Sequence, residues 1–139
     1  MSYLVDTNVF SEGTKREPDS HVQDWMAAHE SELYVSTLTI GELRFGIEKL
    51  PNGKRRERLQ VWLQTVCDTM DGRILSVNVS VAHVWGQLRA GWAAAGVTVP
   101  AADGLIAAIA KRHSLVIVTR NVRDFAGSGV RTLNPFADA

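Results

Sequence analysis

The chain has 139 residues, of which 45% are hydrophobic and 22% charged, and its 15 Lys and Arg residues balance its 15 Asp and Glu residues. This length and composition predict a single folded domain over residues 1–139, and the balanced charge gives no general argument for nucleic-acid binding. No apolar run approaches the roughly 18 residues of a membrane span. A single cysteine allows no intrachain disulfide, so we expect a cytoplasmic protein.

The first half of the chain predicts two strands and four helices. In chain order these are strand 3–5, a short helix through residue 10, helix 21–29, strand 33–38, helix 39–50 and helix 54–70. Ser20 is the expected cap of the second helix, and Thr39 is expected to open the third. Pro51-Asn52-Gly53 separates the last two helices.

The second half predicts three more strands and two more helices. In chain order these are strand 74–77, helix 80–95, helix 100–113, strand 115–119 and strand 130–133. Gly96 is a left-handed helix cap, and the uninterrupted run LVIVT at 115–119 is typical of a central parallel strand. The alternation predicts an α/β fold, a three-layer α/β/α arrangement around a mostly parallel five-stranded sheet.

Four acidic residues lie where the predicted strands end or the helices begin: Asp6, Glu42, Asp103 and Asp124. In an open α/β sheet such junctions meet along one edge, at the carboxyl ends of the strands. Two carboxylates about 4 Å apart repel by on the order of 4 kcal/mol at an effective dielectric constant of roughly 20. A divalent cation normally offsets such repulsion, so the pattern favours metal-dependent catalysis.

Each acid also has an ordinary structural explanation. Asp6 can cap a helix, and Glu42 can complete a T-x-x-E capping box that starts at Thr39. Asp103 can complement the dipole of a first helical turn, and Asp124 can form an Asx turn. The argument for a metal site therefore depends on the shared edge rather than on any single acid.

Polar side chains accompany the acids at the same edge and can support a metal ion or its water. They are Thr7, Asn8, Ser36, Thr37, Thr119 and Asn121. An all-oxygen site selects Mg²⁺ or Mn²⁺ over zinc, and the four histidines show no ligand spacing. A basic group lies near the last predicted helix and strand: Lys111, Arg112, Arg120 and Arg123.

Together these segments resemble the PIN domain, and most closely the VapC-type toxins of bacterial toxin–antitoxin modules, in the FitB-like branch. The matching stretches are LVDTNVFSE, VSTLTIGELRFGI and AADGLIAAIAKRHSLVIVTRNVRDF. The resemblance implies a Mg²⁺- or Mn²⁺-dependent endoribonuclease that hydrolyses RNA phosphodiester bonds. It also implies inhibition by a cognate antitoxin protein, assembly with that antitoxin, and a homodimer.

The resemblance also implies roles for individual residues. By position, Asp6, Glu42 and Asp103 correspond to the core acids, with Asp6 and Asp103 as the primary metal ligands. Asp124 is the expected fourth acid, with Asn121 as a supporting contact, because some relatives carry the acid at the position of Asn121. With RNA as the implied substrate, Lys111, Arg120 and Arg123 are the candidate contacts to its backbone.

Two other functions are compatible with acids at strand ends. A phospho-acceptor signalling domain needs an adjacent acidic pair after the first strand, where this chain has Asp6-Thr7-Asn8. A PIN-like module that binds RNA or protein without cutting has no need for mutually repelling carboxylates. On predicted helix 80–95, Trp85 and Trp92 share a face that is expected either to pack in the core or to form a homodimer or partner surface.

Overall fold

The computed structural model describes residues 1–136, and its centre is a five-stranded sheet. The strands are β1 (Tyr3–Val5), β2 (Leu33–Ser36), β3 (Ile74–Leu75), β4 (Val116–Val118) and β5 (Thr132–Leu133). They are ordered β3-β2-β1-β4-β5, and every pairing is parallel. The predicted α/β sheet is confirmed, and it is wholly rather than mostly parallel. The last three positions of the predicted domain, 137–139, lie outside the described residues.

Six α-helices connect or flank the strands of the described chain. They are α1 (Thr7–Glu12), α2 (Ser20–Ala28), α3 (Thr37–Glu48), α4 (Lys54–Thr69), α5 (Val79–Ala94) and α6 (Ala101–His113). Short 3₁₀ turns lie at Glu30–Glu32 and Val122–Phe125. The predicted helices are confirmed to within two residues at each end, and Gly96, with a φ of 70°, follows α5 as expected.

Two helices are capped by a residue other than the predicted one. In each case the cap is a polar residue that comes earlier in the sequence. Asp19, not Ser20, caps α2, because its carboxylate accepts hydrogen bonds from the backbone N–H groups of His21 (2.8 Å) and Val22 (3.3 Å). Ser36, not Thr39, caps α3 by accepting from the Thr39 N–H at 3.1 Å. The second strand therefore ends at Ser36, two residues earlier than predicted.

The sheet separates two apolar layers. Tyr3 and Val5 of β1 face a core built with α1 to α4, whereas Leu4 faces a core built with α5 and α6. The same alternation holds in β4, where Ile117 shares the layer of Leu4. Since both faces of the central strands are buried, these strands are apolar at every position, as parallel strands covered by helices require.

Helix α5 packs closely on α6 through the face that carries its tryptophans. Val81, Leu88 and Trp92 are buried there. A Cβ atom on Gly104 of α6 would lie 3.2 Å from Trp85 Nε1 and 3.3 Å from Trp92 Cζ3, so glycine favours this close approach. Trp92 of this face packs in the core, as one of the two alternatives predicted, whereas Trp85 is only partly buried.

The parallel arrangement determines where functional groups can gather. All five strands point the same way, so their carboxyl ends lie along one edge, which we call the carboxyl edge. Helices α1 and α3 begin at that edge, directly after β1 and β2. No helix among residues 1–136 is both long and apolar enough to cross a membrane.

Glu12 fixes the connection between α1 and α2. Its side chain is buried, accepts a hydrogen bond from the Asp19 N–H at 2.8 Å and pairs with Lys15 Nζ at 2.9 Å. The hydrogen bond from Lys15, followed by that from the Asp19 N–H, holds the pKa of this carboxyl below its ordinary value. The carboxylate form of Glu12 is therefore the form that stabilises the fold.

We predict that Glu12→Gln lowers the free energy of unfolding by about 1–2 kcal/mol at pH 7, since the hydrogen bonds to a charged group are weakened. Because the folded-state pKa is lowered, this contribution is present above the unfolded-state pKa and is lost as the pH falls through the folded-state pKa. Urea denaturation at pH 7 and in acid measures it, with the exposed Glu17→Gln as control. A loss of equal size in strong acid would contradict this role.

Candidate active site at the carboxyl edge of the sheet

Asp6 is the most firmly positioned acid of the carboxyl edge. It follows β1 and caps α1, with Oδ1 accepting from the Thr7 N–H at 2.9 Å. Its Oδ2 accepts from the Thr119 hydroxyl at 2.9 Å and from Asn8 Nδ2 at 3.3 Å. The helix-cap explanation is therefore correct for Asp6. A carboxylate has about four acceptor positions, so capping does not prevent Asp6 from also binding a cation.

Thr119 joins the ends of β1 and β4 beneath Asp6. Its side chain is completely buried, and besides donating to Asp6 it accepts from Asn8 Nδ2 (3.3 Å) and from the Asn121 N–H (3.1 Å). Asn8 in turn accepts from the Arg120 N–H at 3.1 Å. These bonds hold the Asp6 carboxylate in one orientation and shape the loop that follows β4.

Glu42 lies on the exposed side of α3, one and a half turns into the helix. Its Oε1 accepts from the Thr7 hydroxyl at 3.1 Å. The Thr7 oxygen lies 3.4 Å from the hydroxyl oxygen of buried Thr39, which accepts from Ser36 Oγ at 3.3 Å. Because Ser36 caps α3, the predicted capping box from Thr39 to Glu42 is wrong, and the Glu42 side chain is directed to the carboxyl edge instead.

Asp103 is half-buried in the first turn of α6. Burial is the largest cause that raises the pKa of its carboxyl above the ordinary value. The negative charges of Asp124, Asp6 and Glu42 raise this pKa further, in that order. The four acids are thus close enough to interact, as the sequence predicted from their shared edge.

Asp124 is exposed in the 3₁₀ turn Val122–Phe125, beyond the end of β4. The Ala126 N–H, which an Asx turn at Asp124 would use, donates to the Arg123 carbonyl at 3.1 Å instead. The Asx-turn explanation is therefore wrong. Asn121 also lies at this edge, where its N–H donates to Thr119 and its carbonyl accepts from the Asp124 N–H at 3.0 Å.

The donor groups at the carboxyl edge suit a hard divalent cation. They are carboxylate and hydroxyl oxygens, which Mg²⁺ and Mn²⁺ prefer. Among residues 1–136, no three His, Cys, Asp or Glu side chains come together as a complete metal-binding group. Mg²⁺ usually binds through one or two carboxylates together with water and substrate phosphate, so two ligands such as Asp6 and Asp103 fit its requirements.

The three basic residues predicted to contact RNA do not all lie at the carboxyl edge. Arg120 follows Thr119 directly, and its guanidinium lies 4.6 Å from the centre of the Phe136 ring. Arg123 is exposed in the 3₁₀ turn beside Asp124. Lys111 lies in the last turn of α6, eight residues and about 12 Å along the helix axis from Asp103. The structure does not bring Lys111 to the carboxyl edge.

A groove beside Glu42 was not predicted from the sequence. It lies between α1, α3 and α4, encloses about 290 Å³, and is lined by apolar residues such as Leu43 and Trp62 with Arg55 among them. In the sequence, the basic residues at 54–58 indicate a solvated helix face. Only the spacing of Arg55 and Leu59, which places both on one side of α4, could have indicated that Arg55 lines a groove.

Residues 3–127 match the PIN domain family. The chain is 39% identical to toxin FitB of Neisseria gonorrhoeae, with 97% of this chain and 99% of that protein covered. It is 38% identical to VapC ribonuclease Y4jK of Sinorhizobium fredii, with 98% and 99% covered. The crystal structure of FitAcB from Neisseria gonorrhoeae matches with a TM-score of 0.90 and 38% identity, covering 96% of this chain and 97% of that chain. Similar structures include VapBC and FitAB toxin–antitoxin complexes, some with DNA.

We predict that Asp124→Asn lowers the pKa of the Asp103 carboxyl in metal-free protein, because Asp124 is the neighbouring charge that raises this pKa most. The effect should exceed that of Glu42→Gln, the weakest of the three neighbours. NMR titration of the Asp103 side-chain carboxyl measures it, and exposed Asp71→Asn is the control. An Asp103 pKa that does not change in Asp124→Asn would remove Asp124 from the cluster.

Proposed function

The chain belongs to the PIN-domain family, and we propose that it is a Mg²⁺- or Mn²⁺-dependent endoribonuclease that acts as the toxin of a type II toxin–antitoxin module. One observation carries the proposal. Four carboxylates interact at the carboxyl edge of a chain that aligns along nearly its whole length with VapC and FitB proteins. Ribonuclease activity follows from that kinship, and metal dependence follows from the chemistry of the clustered acids.

The acids would have different roles, depending on how each side chain is positioned. Asp6 and Asp103 would hold a divalent cation, since Asp6 is oriented by Thr119 and Asp103 is the acid most affected by its charged neighbours. When bound, the cation would polarise a phosphoryl oxygen and lower the pKa of water. Glu42, which is exposed and accepts a hydrogen bond from Thr7, would orient the attacking water or bind a second ion.

The RNA backbone would be held by cations beside the acids. Arg120 and Arg123 follow β4 at the carboxyl edge and can contact phosphates on either side of the scissile bond. Such contacts position a nucleic acid without reading its sequence. Lys111 was predicted to take part, but its place at the other end of α6 makes it a poor candidate for this substrate.

A cognate antitoxin would inhibit the enzyme by covering the acids. The groove between α1, α3 and α4 opens beside Glu42 and is mainly apolar, so it suits an apolar segment of such a protein. An arginine carried by that segment would match the uncompensated carboxylates, because a guanidinium pairs well with carboxylate groups. We place both proteins in the cytoplasm, where the free thiol of Cys67 would stay reduced.

A PIN-like module that binds RNA without cleaving it is the alternative function. It would have no use for four interacting carboxylates, because the repulsion between them destabilises a fold that binds no cation. The side chains of buried Thr119 and half-buried Asn8 orient Asp6 and the loop after β4. These features favour catalysis over simple binding.

We predict that the purified protein cleaves single-stranded RNA in Mg²⁺ or Mn²⁺, and that Asp6→Asn lowers the rate at least 10²-fold. The variant should stay folded, because asparagine also caps helices. A gel assay of a labelled RNA, with circular dichroism for folding and Asp71→Asn as control, measures this. Full cleavage by Asp6→Asn, or undiminished cleavage by the wild type in EDTA, would refute the proposal.

A further inference from the structure

A cleft between α5 and α6 opens beside the first turn of α6, the turn that carries Asp103. It encloses about 240 Å³ and is lined by Trp85, Arg89, Trp92, Val99, Ala101 and Gly104. Ala101 and Gly104 flank Asp103 in sequence, so the cleft lies within one helical turn of the acid cluster. No part of the mechanism above uses these residues.

The cleft carries a stacked pair of planar groups. The Arg89 guanidinium lies over the Trp85 ring, 4.6 Å from its centre, and the Arg89 side chain is exposed. An arginine held flat on an aromatic ring keeps its outer face available for another planar group. Nucleobases stack on aromatic rings and on guanidinium planes, and this is how proteins hold the bases of single-stranded RNA.

The wall of the cleft contains a polar group that nothing else satisfies. Trp92 is buried, and its indole N–H has no hydrogen-bond partner among residues 1–136. Buried donors normally have a partner, so this one stands out. Because this N–H is itself inaccessible, a base in the cleft would pack against the Trp92 ring rather than bond to it.

The cleft continues into a second depression along the surface. That depression encloses about 540 Å³, shares Arg89, Trp92 and Val99 with the cleft, and extends to the turn at Gly96. The two together form one continuous surface around Arg89.

We propose that this cleft binds a base of the RNA strand next to the cleaved phosphodiester, with the base stacked on the Arg89–Trp85 pair. The proposal rests on the proposed ribonuclease function, since it needs a substrate strand at the acids. Arg89 also supplies positive charge to a cleft that is lined by two residues flanking Asp103 in sequence, Ala101 and Gly104. The Arg89–Trp85 pair thus binds the RNA strand through a base, near carboxylates that repel the phosphate backbone of the strand.

The test measures binding of a fluorescein-labelled single-stranded RNA of mixed sequence by Asp6→Asn protein in Mg²⁺, using fluorescence polarisation. Adding Arg89→Ala should weaken binding at least fivefold, the lower end of what one base stack contributes. Arg89→Lys keeps the charge but loses the planar group, so its affinity should resemble that of Arg89→Ala. Arg112→Ala removes an exposed arginine from the last turn of α6 and should change the affinity less than twofold.

The possible results distinguish a failure of base binding in the cleft from a failure of the proposed ribonuclease function. Arg89→Ala within twofold of the parent, or Arg112→Ala with an equal loss, would overturn base binding in the cleft, while cleavage by the wild type would still support the ribonuclease. Normal binding by Arg89→Lys would assign Arg89 to backbone charge and overturn the stack. RNA that is neither bound nor cleaved by the wild type would overturn both proposals. Thermal melting checks that each variant is folded.

Discussion

The position of Asp103, half-buried and close to the negative charges of three other acids, is the constraint on which the functional edge of this protein depends. The parallel sheet gathers Asp6, Glu42, Asp103 and Asp124 at its carboxyl edge, where burial first, and then the charges of the other three acids, raise the pKa of Asp103. Because this electrostatic repulsion destabilises the fold, another group of the protein must stabilise the carboxylates. The buried Thr119 hydroxyl does so by donating to Asp6, and Asn8 ties the same network to the loop after β4.

The rest of the fold serves to hold that edge still. Apolar layers cover both faces of the sheet, so the central strands cannot shift without exposing one of them. Ser36 caps α3 at the end of β2 and leaves Glu42 facing the edge through Thr7. Gly104 lets α5 and α6 approach closely, and this fixes the first turn of α6 together with Asp103.

The sequence is sufficient to predict the architecture and the edge at which the acids meet, because strand periodicity and parallel connection determine both. It does not determine which hydroxyl caps a helix. Thr39 and Ser36 are equally good caps, and only the length of β2 decides for Ser36. Lys111 was predicted to lie near the site because it is close in sequence to β4, but it lies eight residues along α6 from Asp103, in the last turn of that helix. Contacts between distant segments, such as Arg55 beside Glu42, leave no local pattern.

Binding of Mn²⁺ followed by NMR tests the central claim most directly, because the paramagnetic ion broadens the signals of nearby backbone amides. The account predicts the strongest broadening at Asp6 and Asp103 and at the loop after β4, with weaker broadening of the amides around Lys111 at the other end of α6. Loss of these effects in Asp6→Asn would place the ion on that carboxylate. Broadening centred on another part of the surface, or none at millimolar Mn²⁺, would contradict a metal site at the carboxyl edge.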